Sequence, residues 1–333
     1  MKLNKIFTSN AVFAKGKPIR IYGDGAGVAS ISFAGATKTV ESTFDEWSVE
    51  FDPMDYGGPY TLEAIFEDET VTLENIYIGI VLLISGQSNM QFKMKESSQK
   101  GGKYIENRKI RCFFTERIEN GEKYTPDDGW VECTAETAPD WSAIGYNLAH
   151  NFARAQDVAV GLIACYQGAS VIQSWYPKGS NEAAGIFIDH SEKHSDHTHP
   201  IYVKWNPEGV LYEFALSQVI PFAVSAVVWY QGESNAAEGE AVYYKDELHV
   251  LVNRWRADFC DEKLPFVVVQ ISNYIKRADV GWYMIQKAQK DFEAEKELVK
   301  CVISSDICED DNIHPPTKDK LAERIYQALV EMI

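Results

Sequence analysis

Ser88 lies in Gly86-Gln87-Ser88-Asn89-Met90, directly after the apolar run Ile78-Gly79-Ile80-Val81-Leu82-Leu83-Ile84. A serine on a tight turn behind a buried strand presents its hydroxyl at the end of a sheet. Far downstream comes Asp311-Asn312-Ile313-His314-Pro315. An aspartate three residues before a histidine on one loop can reach the second imidazole nitrogen and fix the tautomer. Attack on an acyl carbonyl needs a nucleophile, a base for its proton and donors for the oxyanion. Ser88, His314 and Asp311 therefore read as the parts of a serine esterase. Asp306, near the end of the preceding strand, is the rival to Asp311 as orienting acid.

These residues can act together only if the fold brings them to one place. From residue 77, apolar strands alternate with helical patterns. The expected strands are Tyr77–Ser85, Ile110–Thr115, Val158–Ala164, Ala226–Tyr230, Pro265–Ile271 and Lys300–Ser304. The expected helices are Ile144–Ala155, Leu211–Phe222, Ala241–Phe259, Trp282–Lys296 and Thr317–Ile333. Continuous apolar strands belong to a parallel sheet covered on both faces. Repeated βα units imply an α/β fold of three α/β/α layers. Ligands of such sheets bind at the carboxyl ends of the strands. Gly86–Met90, Gln167–Ser170, Gln231–Asn235 and Asp306–His314 all follow strands at that edge. Residues 1–76 instead show period-two alternation, as in Ala29/Ile31/Phe33 and Trp47/Val49/Phe51, with turns between. That pattern predicts a small N-terminal β-sandwich domain, followed by a catalytic domain over 77–333.

The chain has 333 residues, of which 45% are hydrophobic, and a formal net charge of -17. Residues 1–80 share in the acidity, which is not confined to a tail. An acidic surface excludes nucleic acid and anionic membrane as expected partners, because both need a basic face. The six cysteines contain no C-x-x-C pair and read mostly as buried free thiols. No apolar run approaches the ~20 residues of a membrane span. The N-terminus lacks the apolar core of a signal peptide. These features predict a cytoplasmic protein, the alternative being a secreted one with its signal removed. His190, His194, His197 and His199 crowd into one polar segment. It reads as a solvated loop, so no metal or other cofactor is expected.

The G-x-S-x-G elbow of α/β-hydrolases is absent. Gly86–Met90, Trp229-Tyr230-Gln231-Gly232-Glu233-Ser234-Asn235 and Asp311–Pro315 instead resemble the sialate O-acetylesterase, or carbohydrate acetylesterase, branch of the SGNH hydrolases. The similarity extends over nearly the whole chain. Pro18–Gly23 and Gly57–Leu62 are similar to that family's N-terminal β-sandwich. The resemblance implies a flavodoxin-like three-layer catalytic domain and removal of acetyl groups from sugar hydroxyls without a metal. It implies Ser88 as nucleophile, His314 as base and Asp311 as its partner. It further implies oxyanion donors from the backbone of Ser88 and Gly168, and a side-chain amide from Gln231 or Asn235. This sequence has Ala169 where the family carries a second glycine. Gln87, Asn89 and Trp175 are candidate substrate contacts. Glu233 reads as a partner for neighbouring loops, not a general acid. Rival readings are a lipase or thioesterase of the same fold, or an inactive carbohydrate-binding module. The intact Ser88, Asp311 and His314 argue against the module.

Overall fold

The structure is a computed structural model and describes residues 1–67, 69–119, 121–126, 129–188 and 200–333. It is a mixed α/β fold built on a large sheet. The main path comprises β1 (Thr70–Gly86), β2 (Asn107–Phe114), β3 (Trp130–Cys133), β4 (Val160–Tyr166), β5 (Ala226–Tyr230), β6 (Phe266–Val269) and β7 (Val299–Val302). Their spatial order is β3-β2-β4-β1-β5-β6-β7. The edge strand β3 runs antiparallel to β2 and the rest of the path is parallel. β4, β5 and β6 are buried at every residue. Strands of that kind need cover on both faces. Helices α1 (Ala143–Gln156), α2 (Tyr244–Asp258), α3 (Val280–Glu295) and α4 (Asp319–Val330) supply it as two packed pairs, α1 with α4 and α2 with α3. Phe152 meets Tyr326 edge-on in the first pair, and His249 meets Phe292 in the second.

The chain fills one side of β1 with β2, β3 and β4, then crosses to the other side for β5, β6 and β7. The crevice at the carboxyl end of β1 is therefore the topological switch point, where α/β sheets place their ligands.

The first strands pack as two layers. Lys2–Leu3, Ile19–Asp24 and Glu46–Phe51 form a three-stranded sheet. Gly27–Phe33, Ala36–Ser42 and Gly57–Ile65 extend the large sheet through antiparallel pairs, Gly57–Ile65 lying against the first half of β1. Phe33 packs edge-on against Phe51 between the layers, at 6.0 Å between ring centroids. The boundary expected at 76/77 falls inside one 17-residue strand. β1 pairs antiparallel with Gly57–Ile65 as far as Ile78, and parallel with β4 from Ile80 onward. The change of rhythm in the sequence marks a change of partner along a continuous strand.

The helix expected over Leu211–Phe222 is two short pieces, an α-helical Val210–Phe214 and a 3₁₀ turn Leu216–Gln218. Pro221 lacks the amide N–H that a longer helix would need. None of the six cysteines is disulfide-bonded. No helix among the described residues is long and apolar enough to cross a membrane.

Gly86 ends β1 with φ +130°, and a Cβ there would lie 2.1 Å from the carbonyl oxygen of Tyr230. Gly86→Ala should cost about 2–4 kcal/mol from strain and overpacking combined. Denaturant unfolding checks this, and a variant as stable as the wild type would show that the strand end can relax.

Candidate active site

β1 delivers Gly86 between two parallel neighbours, where it pairs with Tyr166 of β4 and Tyr230 of β5. The loops after the three strands therefore leave the sheet at one level. Ser88 opens a single helical turn, Ser88–Gln91, whose Met90 and Gln91 N–H groups donate to the Gln87 carbonyl. His314 arrives from β7, three inter-strand spacings away, or roughly 14 Å. The loop that carries it is braced along its length. Glu309 accepts from the Thr317 N–H and hydroxyl, and the Asp310 carbonyl accepts from the Ile275 N–H. Asn89 Nδ2 donates to the Ile313 carbonyl at 2.9 Å. The outcome is a 2.8 Å hydrogen bond between Ser88 Oγ and His314 Nε2. The two lie at a pocket of about 260 Å³, which Gln91, Phe92, Lys93 and Glu96 also line.

The half-buried imidazole is pushed below its ordinary pKa, first by burial and then by the positive charge of Lys318, with Glu96 opposing. At neutral pH the ring is then neutral, with Nε2 able to accept the serine proton. Its main-chain N–H donates to Asn312 Oδ1.

The structure does not join Asp311 to this pair. Its side chain is exposed, and no hydrogen bond or ion pair links it to His314 among the described residues. Asp306 is engaged elsewhere, in a two-bond pair with Arg324 at 2.6 and 3.0 Å.

The second block approaches the nucleophile from β4. A Cβ on Gly168 would lie 3.1 Å from Gln91 Oε1 and in ordinary contact with Ser88 Cβ at 3.7 Å, so glycine lets the second block pass close to Gln91 and the serine. The Gly168 N–H donates to Gln91 Oε1 at 2.8 Å. Ala169 adopts φ +54°, the left-handed conformation that a second glycine would take without strain. Asn206 holds it there, with Nδ2 donating to the Ala169 carbonyl and Oδ1 accepting from the Val171 N–H.

The third block differs from expectation. Gln231 is fully buried, and its Nε2 donates to the Ser170 carbonyl and to Asn235 Oδ1. Asn235 Nδ2 donates to Gln173 and Glu240. Both N–H bonds of each amide are thus directed at internal acceptors, and neither side chain is an oxyanion donor in this arrangement. They tie the third block to the second from beneath. Gln87 likewise faces inward, its Oε1 accepting from the Gly232 and Ser234 N–H groups. Trp175 is also a core residue, with Nε1 on Ser170 Oγ and its ring edge-on to Trp229. Glu233 accepts from Asn89 Nδ2 at 2.6 Å. Residues 190–199, with their four histidines, lie outside the described residues. Among the described residues no cluster of His, Cys, Asp or Glu is placed to hold a metal ion.

Three residues near the pair have no counterpart in the sequence reading: Gln91, Asn206 and Lys318. Gln91 stands three residues after Ser88, a spacing that puts it on the serine's side of the helical turn. Lysine is rarely buried. At a helix entry Lys318 carries the signature of a solvated side chain, yet it is wholly buried.

A parallel α/β sheet with a serine–histidine pair at its switch point defines the class, and its fold is that of a carbohydrate esterase. The chain superposes on a carbohydrate acetylesterase from Xanthomonas citri with a TM-score of 0.86 and 24% identity, covering 99% of this chain and 75% of that one. The family model for carbohydrate esterases of the sialic acid-specific acetylesterase type matches residues 79–331. The chain belongs to that family. It is 26% identical over 329 residues to the sialate O-acetylesterase of Pongo abelii, and 25% over 329 residues to that of Homo sapiens. Each match covers 86% of this chain and 60% of the relative, so the chain spans about 60% of the length of these curated relatives.

Asn235→Ala should act on the fold. It strands the Ile172 N–H and one Gln231 N–H, which both donate to Asn235 Oδ1. Each buried orphan costs about 1–3 kcal/mol. A melting curve should show the loss. A variant with wild-type stability but 10²-fold slower turnover, the mark of a lost oxyanion donor, would contradict this placement.

Proposed function

We propose that this chain is a serine esterase that removes O-acetyl groups from carbohydrates through an acyl-enzyme intermediate. The reading rests above all on the 2.8 Å hydrogen bond between Ser88 Oγ and His314 Nε2 at the sheet's switch point. Family membership and the depressed basicity range of His314 support it. In this reading the chain from the second half of β1 onward forms an SGNH-hydrolase-like catalytic domain. The strands before it are a small β-sandwich serving as platform, and β1 runs through both.

His314 Nε2 takes the Ser88 hydroxyl proton as Oγ bonds to the acetyl carbonyl carbon. The carbonyl oxygen becomes an oxyanion. The Ser88 and Gly168 N–H groups are its donors, and Gly168 becomes available once Gln91 Oε1 turns away. The bond to the sugar oxygen then breaks, and the protonated His314 returns its proton to that oxygen. Water attacks the acetyl-serine by the same route, releasing acetate and restoring the serine. Asp311 is the proposed orienting acid. Hydrogen bonds at catalytic groups often form fully only with substrate bound, and Asp311 stands on the loop that carries His314.

Ser88→Ala should lower acetate release by at least about 10³-fold while leaving the melting temperature near wild type. Activity retained beyond that would remove the serine from the mechanism. The free enzyme's kcat/KM reports its essential base. Because the pKa of His314 lies below the ordinary ~6.5, activity should hold through pH 6.5 and fall by half only below it. A midpoint above pH 7 would contradict the assignment of the base. Asp311→Asn should cost about tenfold or more in kcat/KM, as a lost general-base partner does. Asp306→Asn should leave kcat/KM within about twofold, because it removes only an exposed ion pair with Arg324. The reverse ranking would make Asp306 the partner.

A further inference from the structure

The most unusual group near the pair is the side chain of Lys318. It is wholly buried, and Nζ sits 5.2 Å from the centre of the Phe92 ring and 5.4 Å from that of Tyr230. Among the described residues its one hydrogen bond goes to Asn89 Oδ1 at 2.7 Å. No ion pair to Lys318 is formed among the described residues. Burying an ammonium without a contacting carboxylate is costly, and the fold tolerates it at the residue next to the nucleophile.

The geometry shows what that burial accomplishes. Asn89 has one acceptor and two donors in its amide. Lys318 can only donate, so it fixes Oδ1 on its own side. Nδ2 is then forced the other way, where it meets Glu233 Oε1 at 2.6 Å and the Ile313 carbonyl at 2.9 Å. The amide dipole lies between a cation and a carboxylate. One side of this small network is covalently next to Ser88, and the other holds the residue before His314.

We propose that Lys318 is a positioning residue of the Ser88–His314 pair, acting through the Asn89 amide. This rests on the esterase reading above. Without Lys318, Asn89 Oδ1 loses its donor and the amide is free to turn over, releasing Ile313 and with it the base.

The charge has a second effect. Lys318 lowers the pKa of His314, second only to burial. Burial pushes the lysine itself down to about 8, with Cys308, Glu233 and Glu309 opposing. It is therefore charged throughout the range in which His314 titrates. Cys308, Tyr230 and Glu309, which face it, do not compete there. Burial raises the Cys308 thiol and the Tyr230 hydroxyl, while Glu309 is held low by Thr317 against its own desolvation. Glu96 opposes Lys318 at the imidazole.

The test is a pH profile of 4-nitrophenyl acetate hydrolysis for the wild type, Lys318→Met and Lys318→Arg, with melting curves for each. Lys318→Met should lower the kcat plateau by about tenfold or more, leave KM little changed, and move the acid limb to higher pH. Lys318→Arg, which keeps a charge and a donor, should recover the plateau in part and return the acid limb towards wild type. A Lys318→Met variant with kcat within about twofold of wild type and an unmoved acid limb overturns the proposal. A merely structural lysine would lower the melting temperature without shifting that limb, and this outcome also overturns it. Should Lys318→Met fail to fold, Asn89→Ala carries the test: kcat should fall about tenfold with the acid limb in place, and an unchanged kcat refutes the link. Failure of the esterase reading is seen separately, as an active Ser88→Ala.

Discussion

Tyr166 and Tyr230 both meet β1 at Gly86, and the missing side chain there lets the Tyr230 carbonyl come closer than any Cβ could accept. This one crossing point sets the level of the site. The loops after β1, β4 and β5 all start from it, so Ser88, Gly168 and the network of Gln231 are brought together by backbone pairing before any side chain chooses a partner. Only His314 comes from farther off, across three strand spacings, and only its loop needs separate bracing by Glu309, Asp310 and Asn89.

The polar residues around the pair fall into two groups with different physical tasks. Gln87, Gln231, Asn235 and Asn206 are turned inward and satisfy backbone groups of the loops, which is why those loops can be buried at all. Asn89, Gln91 and Lys318 instead touch the surroundings of the serine and histidine. In the second group an amide is oriented by charge on one side and by acceptors on the other. Partly satisfied buried networks are costly, whereas satisfied ones rigidify a site. Ser88 and His314 stand at 2.8 Å, with no carboxylate bonded to the ring among the described residues, because the loops on both sides are held in this way.

Much of this was legible in the sequence. The apolar runs predicted the parallel strands, with Ala226–Tyr230 matching its observed limits. The placement of Ser88 and His314 after strands at one edge followed from the alternation of elements. What escaped was decided by partners distant in sequence. Gln231 and Asn235 follow a strand end, as a donor to an oxyanion would, but their amides are claimed by Ser170, Gln173 and Glu240. Trp175 follows the second block, yet it packs edge-on against Trp229 in the core. The period changes at 76/77, and a period cannot reveal that one strand serves two sets of neighbours. Lys318 has no signal in the sequence, because burial of a lysine depends on a cage assembled from Asn89, Phe92 and Tyr230.

The central claim is that His314 activates Ser88, and covalent labelling tests it most directly. A fluorophosphonate, which reacts preferentially with an activated serine, should modify Ser88 and no other serine on peptide mapping. The labelling rate should fall as pH drops below 6.5, and His314→Ala should nearly abolish it, since a serine without its base is a poor nucleophile at neutral pH. Labelling of another serine, or labelling of Ser88 at an unchanged rate in His314→Ala, would contradict the account.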